Sequence, residues 1–154
     1  MCDQYTTNIE KRMRNILVPT DGSKPALRAL ELAISMAKQQ SEACTVHVVN
    51  VQSPIVSNNV SRFFSAEVLN SYYDDEGKAI LDTLEPTLSN AGVPYQTHVV
   101  VGAIDEVVKR FINENQCDHL IMGTRGLSPV PGLLLGSSAT KIIHAVDVPV
   151  TLVK

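Results

Sequence analysis

Short apolar runs alternate with longer amphipathic stretches along this chain, and that rhythm admits few folds. Ile16-Leu17-Val18, closed by Pro19, is the first such run. Apolar residues at successive positions suit a strand covered on both faces, as in a parallel sheet. Asp21-Gly22-Ser23 is turn chemistry, with Ser23 placed to cap a helix and Pro25 in its first turn. Ala26, Leu27, Leu30, Ala33, Ile34 and Ala37 then recur at helical spacing. Val46, Val48, Val49 and Val51 mark a second strand over Thr45 to Val51, and Gln52 to Arg62 reads as a loop. The pattern predicts a helix from about Ala66 to Leu88, with Gly92 as its C-terminal cap. Tyr95 to Val101 is a third strand. Ile104, Val107, Val108, Phe111 and Ile112 give one face of the next helix, with Asp105 and Glu106 at its positive end. His119 to Met122 is a fourth strand, a helix starts near Gly136, and Pro149 to Val153 is a last strand.

Strand and helix therefore alternate throughout, which predicts an α/β fold: an open five-stranded parallel sheet with helices on both faces, Rossmann-like in kind. A chain of 154 residues suits one domain. We assign it to residues 15–154, with 1–14 as a flexible tail. In such sheets ligands bind beyond the carboxyl ends of the strands, where the strand order reverses. The candidate loops are Pro19 to Ser23, Val48 to Gln52 and Gly123 to Ser138.

Charge and composition narrow the ligand. A net charge of −3 offers no broad basic surface for nucleic acid or anionic lipid. Aromatic residues are 5% of the chain and Trp is absent, which argues against a base-stacking platform. Cys2, Cys44 and Cys117 form no CxxC pair, so a zinc knuckle or dithiol centre is not expected and a reducing compartment is. The first residues are polar, and no apolar run approaches the ~18 residues of a membrane span. The expected location is the cytoplasm.

From Met122 the chain reads MGTRGLSPVPGLLLGSSATKII, directly after a buried strand and running into a helix. Glycine lets backbone N–H groups approach an anion, and a helix N-terminus offers free N–H groups at a positive dipole end. Gly136, Ser137 and Ser138 bring both features and two hydroxyls to one point. The same residues could also serve only as turn formers and a cap. Neither GxxxxGK[ST] nor GxGxxG occurs, which sets aside a Walker loop and a dinucleotide fingerprint.

The spacing G-2x-G-9x-G-[S/T] at Gly123, Gly126, Gly136 and Ser137 resembles the nucleotide signature of the ATP-binding branch of the universal stress protein family. The opening Asn15 to Ser23 and the ending His144 to Val153 are similar to that family's first and last elements. The resemblance implies an adenine nucleotide alpha hydrolase-like fold that binds ATP, or ADP or AMP. Asp21, flanked by Pro19 and Thr20, would face the adenosine, its carboxylate accepting from the ribose. Val48 would meet the adenine through its backbone, and Met122 and Gly123 would lie against the nucleoside. Gly126, Gly136, Ser137 and Ser138 would hold the phosphates, with Thr124 and Arg125 nearby. Magnesium or manganese would be held mainly by the phosphates. A homodimer through the C-terminal strand and a further protein partner are also implied. The chain departs from the family pattern at Pro129 and Pro131 in the glycine loop and at Ala103, where many relatives carry proline.

Other residues read as structural. His47, His98, His119 and His144 show no metal-ligand spacing and are expected to be satisfied core or surface groups. Tyr72 to Glu76 reads as a solvated helix face. Fast phosphoryl transfer needs a positioned cation, metal ligands and a base. Only Asp21, Thr124 and Arg125 are in reach, so a regulatory stress-response binding protein is expected rather than an enzyme, with a slow ATP hydrolase acting as a timer, or a dimeric partner-binding module without nucleotide, as the alternatives.

Overall fold

The computed structural model describes residues 13–55, 63–127 and 131–154. Five strands form one parallel sheet: β1 (Asn15–Pro19), β2 (Thr45–Gln52), β3 (Tyr95–Val101), β4 (His119–Gly123) and β5 (Val150–Val153). The helices are α1 (Lys24–Lys38), α2 (Ala66–Ser89), α3 (Ile104–Glu114) and α4 (Ser137–Ala145). Strand order is β3-β2-β1-β4-β5. The chain winds outward from β1 to one edge, then crosses to β4 and winds to the other. The open α/β sheet expected from the alternation is what forms.

Both faces of β1 are covered, and its side chains divide between two cores. Ile16 and Val18 join Val46, Val48, Leu30, Ala33, Leu81, Leu84 and Leu88 beneath α1 and α2. Leu17 joins Val49, Leu120, Met122, Val108, Phe111, Ala139 and Ile142 beneath α3 and α4. Each of the larger side chains contributes roughly 1.5–3 kcal/mol by leaving water, which is why a run without polar alternation suits this strand. α2 lies so close to β3 that a Cβ at Gly77 would stand 2.4 Å from a Val99 methyl. α1 is capped by Ser23, whose Oγ accepts from Ala26 N–H at 3.3 Å.

Several boundaries depart from the expectations. Arg14 is tied into the sheet rather than belonging to a tail: its carbonyl accepts from Thr45 N–H and its own N–H donates to Asp118. α2 is capped by Asn90 in ordinary helical conformation, and Gly92, at φ +70°, turns the chain two residues later. Within Tyr72 to Glu76, Tyr73 is buried. The thiols of Cys44 and Cys117 are free and buried, and burial pushes Cys117 up to about 12. Cys2, Pro129 and the greater part of the expected tail lie outside the described residues.

His47 and His98 meet under α3. Their rings stack at 5.8 Å, and Phe111 sets its edge against both, at 5.7 and 4.8 Å. His47 Nε2 bonds Asn15 Oδ1 at 3.1 Å. His47 Nδ1 and His98 Nε2 are buried with no hydrogen-bond partner among the described residues, so these two histidines are only partly satisfied. Burial lowers both pKa values, and the charge of His98 further disfavours protonation of His47. A folded pKa below the unfolded value of about 6.5 means that the unfolded chain binds protons first as pH falls. The contribution is therefore complete above pH 6.5 and is lost on acidification, at up to roughly 1.4 kcal/mol per pH unit per histidine. Urea unfolding at pH 7.5 and 5.5 should show a marked loss of stability in the parent protein. His47→Gln with His98→Gln should flatten that dependence, although His119, also lowered by burial, remains.

Candidate functional site

Strand order reverses between β1 and β4, and the loops leaving these strands part to opposite sides. A cavity of about 720 Å³ opens there. Pro19, Thr20 and Asp21 line it from the β1 loop, and Met122, Gly123, Thr124, Arg125 and Gly126 line it from the end of β4. Gly136, Ser137 and Ser138 close it from the start of α4.

Asp21 ties the first two loops together. Its Oδ1 accepts from Ser23 N–H at 2.9 Å, and its Oδ2 accepts from Leu127 N–H at 3.2 Å. A Cβ on Gly126 would stand 2.7 Å from that Oδ2. Glycine is thus what lets the carboxylate sit against the loop. At Gly123 the constraint is different: a Cβ would meet Pro25 Cβ at 2.9 Å and Ala26 N at 3.0 Å. Glycine there lets the first turn of α1 rest on the end of β4.

The loop from β4 to α4 is held at both ends. Thr124 N–H donates to Val153 O at 2.8 Å, and Gly136 N–H donates to Thr124 O at 2.7 Å. Gly136 is the N-cap of α4, at φ −69° and ψ 162°, a conformation open to any residue. A Cβ there would meet the backbone of Thr124, Arg125 and Gly126 at 3.5–3.7 Å, which is ordinary contact. Neither backbone strain nor packing demands this glycine. Among the described residues no side chain caps α4, and none takes up its first-turn N–H groups. Ser137 and Ser138 are exposed at that end.

The chain matches the universal stress protein family over residues 13–154. It belongs to that family. It is 31% identical over 148 residues to the universal stress protein MJ0531 of Methanocaldococcus jannaschii, covering 96% of this chain and 85% of the relative. The solved structure of protein MJ0577 superposes with a TM-score of 0.80 at 26% identity, covering 93% of this chain and 96% of that one. A universal stress protein solved in complex with cAMP shares the fold, with a TM-score of 0.65 at 24% identity, covering 93% and 98%.

Within this universal stress protein domain, one residue of the expected site stands elsewhere. Val48 is fully buried in the core beneath α1 and α2 and does not line the cavity. Strand alternation puts Val49 and Val51 on the cavity side instead. The backbone agrees. Val46 N–H and Gln52 O bond towards β3, whereas Val49 O accepts from Thr20 N–H at 2.9 Å. Odd-numbered residues of β2 thus turn their peptide groups to β1. Val51 is the next of these, after β1 has ended at Pro19. A ligand reading the backbone of β2 would meet Val51.

The opposite wall lies outside the loops expected from the sequence. Ala103, Ile104 and Asp105 at the start of α3, and Lys141 on α4, also line the cavity. Lys141 lies one helical turn beyond Ser137, the spacing at which it could have been sought. It gives the site a second cation beside Arg125.

The contact between Asp21 and Gly126 can be tested directly. Gly126→Ala should displace the Asp21 carboxylate, speed hydrogen exchange at the Leu127 amide and cost about 0.5–1.5 kcal/mol. Asp21→Ala added to that variant should cost little more, because both changes remove one shared interaction.

Proposed function

We propose that this universal stress protein binds ATP, or the related ADP or AMP, in the cavity between β1 and β4, and that it acts as a regulatory protein rather than an enzyme. The observation that carries the reading is Gly136. A glycine that neither its conformation nor its neighbours require stands at the uncapped start of α4, beside Ser137 and Ser138. Space, free N–H groups and hydroxyls at one helix N-terminus suit a phosphate chain. Gly126, Thr124, Arg125 and Lys141 border the same end. At the other end, the peptide groups of Val51 offer a donor and an acceptor to the edge of an adenine, and Asp21 offers an acceptor to the ribose. Met122 and Gly123 lie between. A cavity near 720 Å³ falls in the range of small-molecule sites, roughly 300–1,000 Å³. The relative solved with cAMP supports an adenine nucleotide as the ligand class.

No group of three or more His, Cys, Asp or Glu gathers among the described residues to hold a metal. Magnesium or manganese would arrive with the phosphates and be held chiefly by them. The cavity offers Asp21 and Asp105 as carboxylates, with Asp21 committed to two backbone amides. That set suits binding better than fast phosphoryl transfer. Nucleotide would set the shape of the loop between Gly126 and Gly136, and a protein partner in the cytoplasm would read it. No described helix is long and apolar enough to cross a membrane.

A homodimer fits the same architecture. β5 is one of the two edge strands, with Leu152 partly exposed on it, and Leu133 and Leu134 are exposed in the loop before α4. Pairing with the same strand of a second copy would cover an open apolar edge symmetrically. Light scattering at tens of micromolar should return the mass of two chains, and a monomer would remove this arrangement.

Titration of ATP and adenosine into the parent protein and Gly136→Val tests the site. A side chain of valine size should crowd the approach to the α4 N-terminus and leave the core intact. Loss of two charge-assisted hydrogen bonds, each roughly 1.5–3 kcal/mol, should weaken ATP by about a hundredfold or more. Adenosine should be affected far less. Equal ATP affinity in the folded variant would overturn the phosphate assignment. Release of ADP during the same titration, at about one per second or faster, would instead make the protein an enzyme.

A further inference from the structure

Asn50 interrupts the apolar run of β2, and it is 2% exposed. A buried amide in such a place is costly unless its groups are satisfied. Its Nδ2 donates to Thr20 O at 2.9 Å, and its Oδ1 accepts from Gln52 Nε2 at 2.6 Å. Thr20 is thus held twice by β2: its N–H by Val49 O, and its carbonyl by the Asn50 side chain. In a continued parallel ladder the Thr20 carbonyl would accept from Val51 N–H. That bond does not form, and the side-chain amide of Asn50 takes its place.

Room for the amide is made from the helix side. A Cβ on Gly77 of α2 would stand 3.1 Å from Asn50 Oδ1 as well as against Val99. One turn on, Ile80 lies under Gly22, at 3.4 Å from where a Cβ would be. One face of α2 therefore backs both Asn50 and the turn that follows Asp21.

We infer that Asn50 is a positioning residue: its side chain stands in for a ladder amide, fixes the turn carrying Asp21, and leaves the Val51 N–H to a ligand. The ligand part rests on the nucleotide reading above, and the positioning part does not. Asn50→Val keeps a strand former of the kind found on either side and removes the donor. ATP should bind about tenfold more weakly, the worth of one hydrogen bond near 1.4 kcal/mol. The Gly22 and Ser23 amides of the ligand-free variant should exchange faster, while those of Leu17 and Val18 hold. Asn50→Asp supplies a readout that loss of packing would not. At pH 7.5 its carboxylate cannot donate to Thr20. At pH 6 the buried carboxyl should be protonated more often, and ATP affinity should recover relative to the parent at the same pH.

A parent protein that does not bind ATP would sink the nucleotide reading alone, and the exchange of Gly22 and Ser23 would still decide the positioning role. Unchanged exchange in Asn50→Val overturns that role. So does ATP affinity within twofold of the parent, or an Asn50→Asp protein with no recovery at pH 6. Should Asn50→Val fail to fold, the pH response of Asn50→Asp carries the decision.

Discussion

β1 runs through the middle of the core, and it stops before the strands beside it have finished. It ends at Pro19, whereas β2 continues to Gln52 alongside β3. The Pro19 peptide faces β4, and without an N–H it cannot extend that ladder. Thr20 makes one more backbone bond, to Val49, and the chain then turns. The cavity follows from that early stop. Val51 is carried past its partner strand, Asp21 is lifted out of the sheet, and the end of β4 stands open on the other side. Parallel pairing makes this possible, because both neighbours of β1 point their carboxyl ends the same way and both loops leave from one rim.

Three glycines of the loop after β4 look alike in the sequence and differ in physical cause. Gly123 admits the first turn of α1, and a side chain there would push on backbone. Gly126 admits the Asp21 carboxylate, which can swing aside at the cost of its bond to Leu127. Gly136 makes room for nothing among the described residues, where a Cβ would meet only ordinary contacts. The first is a packing requirement and the second joins two loops. Only the third is left without a role among the described residues, which is why it carries more of the proposed nucleotide reading than the spacing of the three together.

Much of the fold was legible because each strand is a compact apolar run and each helix carries its own period. The site was legible where chemistry is local: Asp21-Gly22-Ser23, and glycine followed by two serines. What stayed hidden depends on which face a residue takes. Val46 to Val51 is apolar at every position but His47 and Asn50, so the pattern could not tell Val48 from its neighbours. Asn50 was the informative exception, and its meaning needed the register to Thr20. His47 and His98 lie on separate strands, and only the pairing of Val49 with His98 brings them to one face under Phe111. Asp21 and Gly126 are far apart in sequence, and no local rule joins them.

Charge is unevenly arranged around the cavity, and on the nucleotide reading proposed above it would give the ligand a direction. Arg125 and Lys141 stand with the N-terminus of α4, whose dipole adds to their field. Asp105, at the start of α3, stands on the wall that also carries Ala103 and Ile104, and Asp21 lies at the mouth of β1. An anion placed against Asp105 would be repelled, while the same anion at α4 would meet two cations and unshared N–H groups. A neutral, hydrogen-bonding group suits the ends of β1 and β2, where peptide edges and a carboxylate acceptor are available. A ligand neutral at one end and highly charged at the other can satisfy both regions in only one orientation. Because the overall charge of the chain is −3, this local separation has to supply the attraction, and high salt should weaken it at the exposed Arg125 and Lys141 first.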